Sequence, residues 1–203
     1  MGVKERKARA FKKREEEILK TSHQLLKEMD PPQMTMQLIA EETEIGCGTI
    51  YKHFKSKDEI YATFMFRRRE KFDSLLDSIS NGGICSLNQL IHAYFEYCFT
   101  DLSDYRVYKS CEHHCQKDNL TDELRAKIDR QFEEKLLRVE KIIKHSLGET
   151  KGKYPEDYYA CAAWGMLRGS VDAWIEGKYQ TKNLDRNTYC NVVEEMLTRN
   201  MSL

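Results

Sequence analysis

Residues 35–61, TMQLIAEETEIGCGTIYKHFKSKDEIY, read as two short helices around a tight turn, followed by the start of a third. Thr35 is the expected N-cap of the first, because its hydroxyl can take an otherwise orphaned amide proton, and Met36, Ile39 and Ala40 give that helix its apolar face. The run Glu44-Ile45-Gly46-Cys47-Gly48 breaks the periodicity, with two glycines able to supply the backbone angles of a turn. A second short helix, about Cys47 to Phe54, should bury Ile50 and Phe54 and leave Cys47, Thr49, Lys52 and His53 outside. That outer face carries donors, a cation and no acid, which suits the major groove of DNA. Ser56-Lys57-Asp58-Glu59 then has the form of a capping box. It starts a third helix at Lys57 and places Lys55 and Lys57 at a helix end that favours phosphate.

This stretch resembles the DNA-binding segment of the TetR family of bacterial transcriptional repressors, which reads T-x-x-x-I-A-x-x-x-G-V-S-x-G-T-L-Y-x-H-F-x-S-K-E-x-L. Thr35, Ile39, Ala40, Ile45, Gly48, Thr49, Ile50, Tyr51, His53, Phe54, Ser56, Lys57 and Ile60 match it or replace it conservatively. Glu44 stands where the pattern has its turn glycine, and Gly46 where it has a capping serine. The resemblance implies backbone-positioning contacts from Thr49, Tyr51, His53 and Lys57. Gln37, Cys47 and Lys52 are read as base or groove readers, and Thr35 and Gly46 complete the DNA-facing set.

The rest of the chain fits around this segment. Its 203 residues, 40% hydrophobic and 33% charged, suffice for a sizeable core in a globular protein. The absence of any long apolar run argues against a membrane span, and the basic N-terminus lacks the apolar stretch of a signal peptide, so a cytoplasmic location is expected. Seven cysteines at irregular spacings read as mostly reduced thiols. The net charge of zero hides an asymmetry: Lys4, Arg6, Lys7, Arg9, Lys12, Lys13 and Arg14 face one acid, Glu5, before residue 15. They read as a basic arm for phosphates or the minor groove, ahead of a first helix from Glu15 that carries Ile18, Leu25, Leu26 and Met29 and stops at Pro31-Pro32. The helix from Lys57 keeps an apolar stripe through Tyr61, Phe64, Phe72, Leu75 and Ile79 until Asn81-Gly82-Gly83, and its Arg67-Arg68-Arg69 cluster reads as a solvated or ion-paired face.

Everything beyond is expected to be helical, since no stretch alternates with period two. Tyr94, Tyr97, Tyr105 and Tyr108 belong to an aromatic-rich segment able to line a ligand pocket. On the helix from Pro155 to Lys178, Ala162, Gly165, Gly169 and Ala173 form a small-residue stripe. WGMLRGSVDAWIEGK resembles the penultimate helix of TetR-family proteins, which pairs with the last helix in a dimer; Val193 and Met196 are the expected contributions from that last helix. Cys111, His114 and Cys115 share a helix face at a spacing open to a soft metal, although no metal or cofactor is expected. No catalytic motif appears, so no enzyme is expected. The sequence therefore predicts an all-α protein of about nine helices, with a basic arm and three-helix DNA-binding domain over 1–60 and a ligand-binding and dimerisation bundle over 61–203. The expected function is a ligand-responsive repressor, a homodimer with a palindromic double-stranded DNA operator and a small-molecule effector as partners. The alternatives are a metal- or thiol-responsive regulator using the Cys111–Cys115 cluster, or a helical protein-interaction scaffold with a vestigial DNA-binding unit.

Overall fold

The computed structural model describes residues 2–80, 83–147, 154–177 and 184–199. Among them it forms nine α-helices, one 3₁₀ turn and no strand. The helices are α1 (Val3–Glu28), α2 (Met36–Glu42), α3 (Cys47–His53), α4 (Lys57–Ser80), α5 (Leu87–Thr100), α6 (Leu102–His114), α7 (Asp122–Leu147), α8 (Glu156–Ile175) and α9 (Arg186–Arg199), with the 3₁₀ turn at Lys117–Asn119. The Lys151–Lys153 loop and the Asn81-Gly82 break expected from the sequence lie outside the described residues.

The N-terminal arm is a correction. Helix α1 starts at Val3, not near Glu15, and the basic segment forms its first turns. VKERKARAFKKR contains no glycine or proline and consists mostly of Ala, Lys, Arg and Glu, all good helix formers. The helix is anchored farther on, where Ile18, Leu19, Leu25 and Leu26 are buried.

Two compact units divide the contacts. The first comprises Met1–Arg68 with Ser103–Ile128, the second Arg69–Leu102 with Asp129–Leu203, so α4 and α7 each contribute to both. In the first unit the inner faces of α1, α2, α3 and the start of α4 share one core with Val107 and Cys111 of α6. In the second unit Phe72, Tyr94, Tyr97 and Trp164 form an aromatic cluster, with Phe72–Tyr94 centroids 5.4 Å apart and Tyr94–Trp164 5.0 Å. Of the arginine cluster, Arg67 grips both carboxylate oxygens of Glu16 and Arg68 pairs with Asp104 at 2.8 Å, as expected for an ion-paired face. Arg69 is buried and lies over the Phe132 ring.

Asp58 ties the segment after α6 to the start of α4. It is buried, and its carboxylate accepts from the Gln116 amide at 2.8 Å and from Asn119 Nδ2 at 2.9 Å. Removing that acceptor leaves a donor without its partner, a loss of about 1.5–3 kcal/mol for bonds to a charged group. Asp58→Ala is accordingly expected to lower the thermal midpoint by several degrees, measured by circular dichroism.

Candidate nucleic-acid interface

Helix α3 has seven residues, and Ile50 is the one fully taken into the core; Phe54, its C-cap residue, is buried just after it. Since side chains repeat about every 3.6 residues, this anchorage fixes which side stays open. Tyr51, 45% exposed, and Lys52 stand outward, and Thr49 is half-buried at the rim. A Cβ built on Gly46 or Gly48 meets nothing within 4 Å, so this end of the helix is bare and admits close approach. Cys47 is partly covered by the core, a more enclosed position than a groove reader was expected to have.

The neighbouring elements supply the remaining residues. Thr35 caps α2, its hydroxyl accepting from the Leu38 amide at 3.0 Å. Gln37 is exposed and donates to Glu41 at 2.9 Å. At the start of α4, the Glu59 amide donates to Ser56 Oγ at 3.3 Å, and the Glu59 carboxylate accepts from the Lys55 amide at 2.7 Å. The box therefore closes one residue earlier than the sequence suggested, and Lys57 sits half-buried in the first turn.

Two features of the interface escaped sequence reasoning. The left-handed residue of the α2–α3 turn is Glu44, with φ 54°, whereas Gly46 is a helix cap with φ −55° and Gly48 lies inside α3. The clue was Glu44's place in the pattern, where glycine is usual. The second is Phe11, whose ring stacks on His53 with centroids 4.0 Å apart and an interplanar angle of 29°. Burial pushes the His53 imidazole below its ordinary pKa, as does Arg14, against the opposing pull of Glu15.

Residues 18–63, which contain this arrangement, match the sequence profile of the bacterial regulatory proteins of the tetR family. Over that segment the chain is similar to the TetR family. No curated protein matches the chain. Among solved structures, the chain is similar to NalD, the secondary repressor of the MexAB-OprM multidrug efflux pump in Pseudomonas aeruginosa, with TM-score 0.67 at 17% identity over 93% of this chain and 95% of that one. It is similar to AibR, solved with isovaleryl coenzyme A and operator DNA, with TM-score 0.65 at 18% identity over 91% and 98%. FadR from Bacillus subtilis, solved with stearoyl-CoA, gives TM-score 0.63 at 19% identity over 90% and 96%. At these identities the likeness establishes a TetR-like fold.

Outside the matched segment, the four candidate ligand tyrosines divide between the compact units. Tyr94 and Tyr97 belong to the aromatic cluster of the second unit, whereas Tyr105 and Tyr108 lie in the first, with the Arg68 guanidinium 5.0 and 5.4 Å from their ring centroids. The second unit contains a cavity of about 350 Å³ between α7 and α8, lined by Leu136, Leu137, Val139, Ala160, Cys161 and Trp164, with Glu133 and Glu140 also on its wall. Of the dimer candidates, Ala162, Gly165, Gly169 and Met196 are exposed and Ala173 is half-buried. Val193 faces inward at 6% exposure, while its neighbour Val192 is 46% exposed.

Cys111, His114 and Cys115 are not brought together as a group. Cys111 is completely buried in the first core, Cys115 Sγ lies 3.7 Å from the Asp58 carbonyl, and His114 Nδ1 is 2.9 Å from the Ser110 carbonyl. Shared spacing on one helix face did not deliver shared access, because that face packs inward at Cys111. Among the described residues no group of three or more His, Cys, Asp and Glu side chains is placed to hold a metal ion. Burial also pushes the Cys111 thiol well above its usual pKa and Cys115 to about 11, so neither is a ready thiolate. With Ellman's reagent at pH 8, exposed Cys161 is expected to react within minutes and Cys111 only after denaturation. Reaction of Cys111 in the folded protein, located by peptide mass spectrometry, would contradict this burial.

Proposed function

We propose that this chain is a DNA-binding transcriptional repressor that grips a palindromic double-stranded operator as a homodimer and is controlled by a small-molecule effector. The observation that carries the reading is the acid-free outer face of α3, fixed by Ile50 and flanked by Lys52 and Lys57. In this reading the DNA-binding function lies before about residue 60 and effector binding and dimerisation after it. Tyr51, Lys52 and Thr49 enter or border the major groove. His53 and Lys57 hold the phosphates, with Thr35, Gln37, Gly46 and Cys47 on the same side. One seven-residue helix touches few bases, so two copies about one DNA turn apart are needed for affinity and palindrome selection.

The operator and coenzyme A thioesters of AibR and FadR support a regulator of this kind. In this reading the α7–α8 cavity takes the effector. Its volume falls within the usual range of about 300–1,000 Å³ for small-molecule sites, and its Trp164 wall touches Tyr94 of the aromatic cluster. Among the described residues no helix is long and apolar enough to cross a membrane, and the reading places the protein with the DNA in the cytoplasm as a binding protein with no reaction of its own. Effector binding acts by favouring a dimer whose α3 helices are wrongly spaced. A difference of about 2–3 kcal/mol between the two states gives a roughly 30- to 150-fold loss of operator affinity.

The dimer is carried by α8 and α9. Ala162, Gly165 and Gly169 let a partner helix approach, and Ala173, Met196 and the flank of Val193 border that surface. Gly169 has open space where a Cβ would project. Gly169→Leu therefore leaves the protomer fold intact and is expected to yield monomers in sedimentation velocity; an undiminished dimer would place the interface elsewhere. For DNA, Lys57→Ala is expected to weaken binding on every sequence and to flatten the log K against log salt slope by about one unit. That slope is read by fluorescence anisotropy on a duplex selected from a random pool, and an unchanged value would remove Lys57 from the phosphate contacts.

A further inference from the structure

We propose that the first turns of α1 form a second phosphate-binding row, aligned with the recognition helix by the stack of Phe11 on His53. This rests on the operator reading above and extends it to residues outside the family segment, since the profile match begins at residue 18. The basic segment is a helix, so its side chains have fixed directions where a free arm's would not. Lys4, Lys7, Phe11 and Arg14 follow one another at three- and four-residue steps and therefore share one face. Phe11 directs that face towards α3, because its ring lies on His53, the last residue of α3. Arg6 and Lys13 fall on the opposite side of the same helix.

The row runs from the stack towards the start of α1. At helical rise, Lys7 lies about 6 Å and Lys4 about 10 Å along the axis from Phe11, towards the N-terminus. Both are exposed, and the one acid nearby, Glu5, accepts from the Gly2 amide at 3.0 Å. Arg14 is paired with Glu17, so Lys4 and Lys7 are the cations of this row offered to a partner. DNA backbone is the partner that fits: cations at fixed spacing meet a regular line of phosphates, and the stack registers them against the groove that α3 enters. Phe11 is then a positioning residue. It holds no phosphate, but it pins the first turns of the rod, which the buried Ile18 and Leu19 anchor only from farther along, against α3.

The test compares charge removal on the two sides of one helix. The full chain is titrated by anisotropy against a fluorescein-labelled duplex, selected by the unmodified protein from a random pool, across a range of KCl concentrations. Lys4→Ala with Lys7→Ala is expected to reduce the salt slope by about two units, at about 0.9 per phosphate contact, and Arg6→Ala with Lys13→Ala by less than about half a unit. Phe11→Ala removes no charge yet is expected to reproduce the Lys4/Lys7 loss, and Phe11→Trp, which keeps the stack, to restore it. Phe11 is 49% exposed, so these changes leave the core untouched, as unchanged far-ultraviolet dichroism would show. Equal slope losses from the two charge pairs, or a wild-type slope in Phe11→Ala, would overturn the oriented row while leaving operator binding intact. Failure of the unmodified chain to retain any duplex would remove the operator reading and this proposal together.

Discussion

The interface depends on the burial of Ile50. A helix as short as α3 has no independent stability in water, because nucleating a helical turn costs more than a few hydrogen bonds return. It persists because Ile50 enters a core that already holds Ile39, Ile45 and Phe54, a burial worth about 1.5–3 kcal/mol for a side chain of that kind. The same contact sets the rotation of the helix. With Ile50 inward, Tyr51 and Lys52 have no direction left but outward, so the chemistry offered to DNA follows from one apolar anchor.

That anchor was legible in the sequence because it is local and periodic. Thr35, Ser56 and the apolar positions of the first helices announce themselves within a few residues, and the helix bounds around them came out close to expectation. The basic segment did not, because the sign of a docked helix is an apolar stripe and residues 3–14 offer only Val3, the alanines and Phe11. Its helicity comes from intrinsic propensity and from continuity with the anchored turns beyond Ile18. Glu44 shows the converse limit. A non-glycine residue at positive φ costs on the order of 1–2 kcal/mol, and the turn accepts it because Ile45 must reach the core, its amide donating back to the Ala40 carbonyl at 3.0 Å. Local preference yields there to a tertiary demand.

The aromatic and thiol clusters divide between the units for a related reason: composition shows that side chains are apt for burial but not which core receives them. Helix α6 is near in sequence to the aromatic α5, yet Val107 and Cys111 close the core of the DNA-binding helices, and Tyr105 and Tyr108 go with them. What looked like a metal face is the inner face of a packed helix. The small-residue stripe on α8 is exposed at Ala162, Gly165 and Gly169, since glycine and alanine in succession leave their face bare unless something packs there. Val193, one position from exposed Val192, marks how finely the rotation of the last helix decides which residue that face presents.

The zero net charge is best understood through the pairing of the cations. At about 0.1 M salt the field of an exposed charge fades over roughly 10 Å, so a distant surplus of acids does little at a DNA-facing surface, whereas a nearby partner cancels a cation outright. Arg67 and Arg68 are cancelled in this way by Glu16 and Asp104, which converts the densest basic run after the first helix into internal bracing for α1 and α6. The cations at the start of α1 have one acid among them, and the outer face of α3 has none. The chain thus keeps its positive potential where phosphate would lie and spends its other charges on holding helices together, which reconciles a neutral total with a nucleic-acid partner.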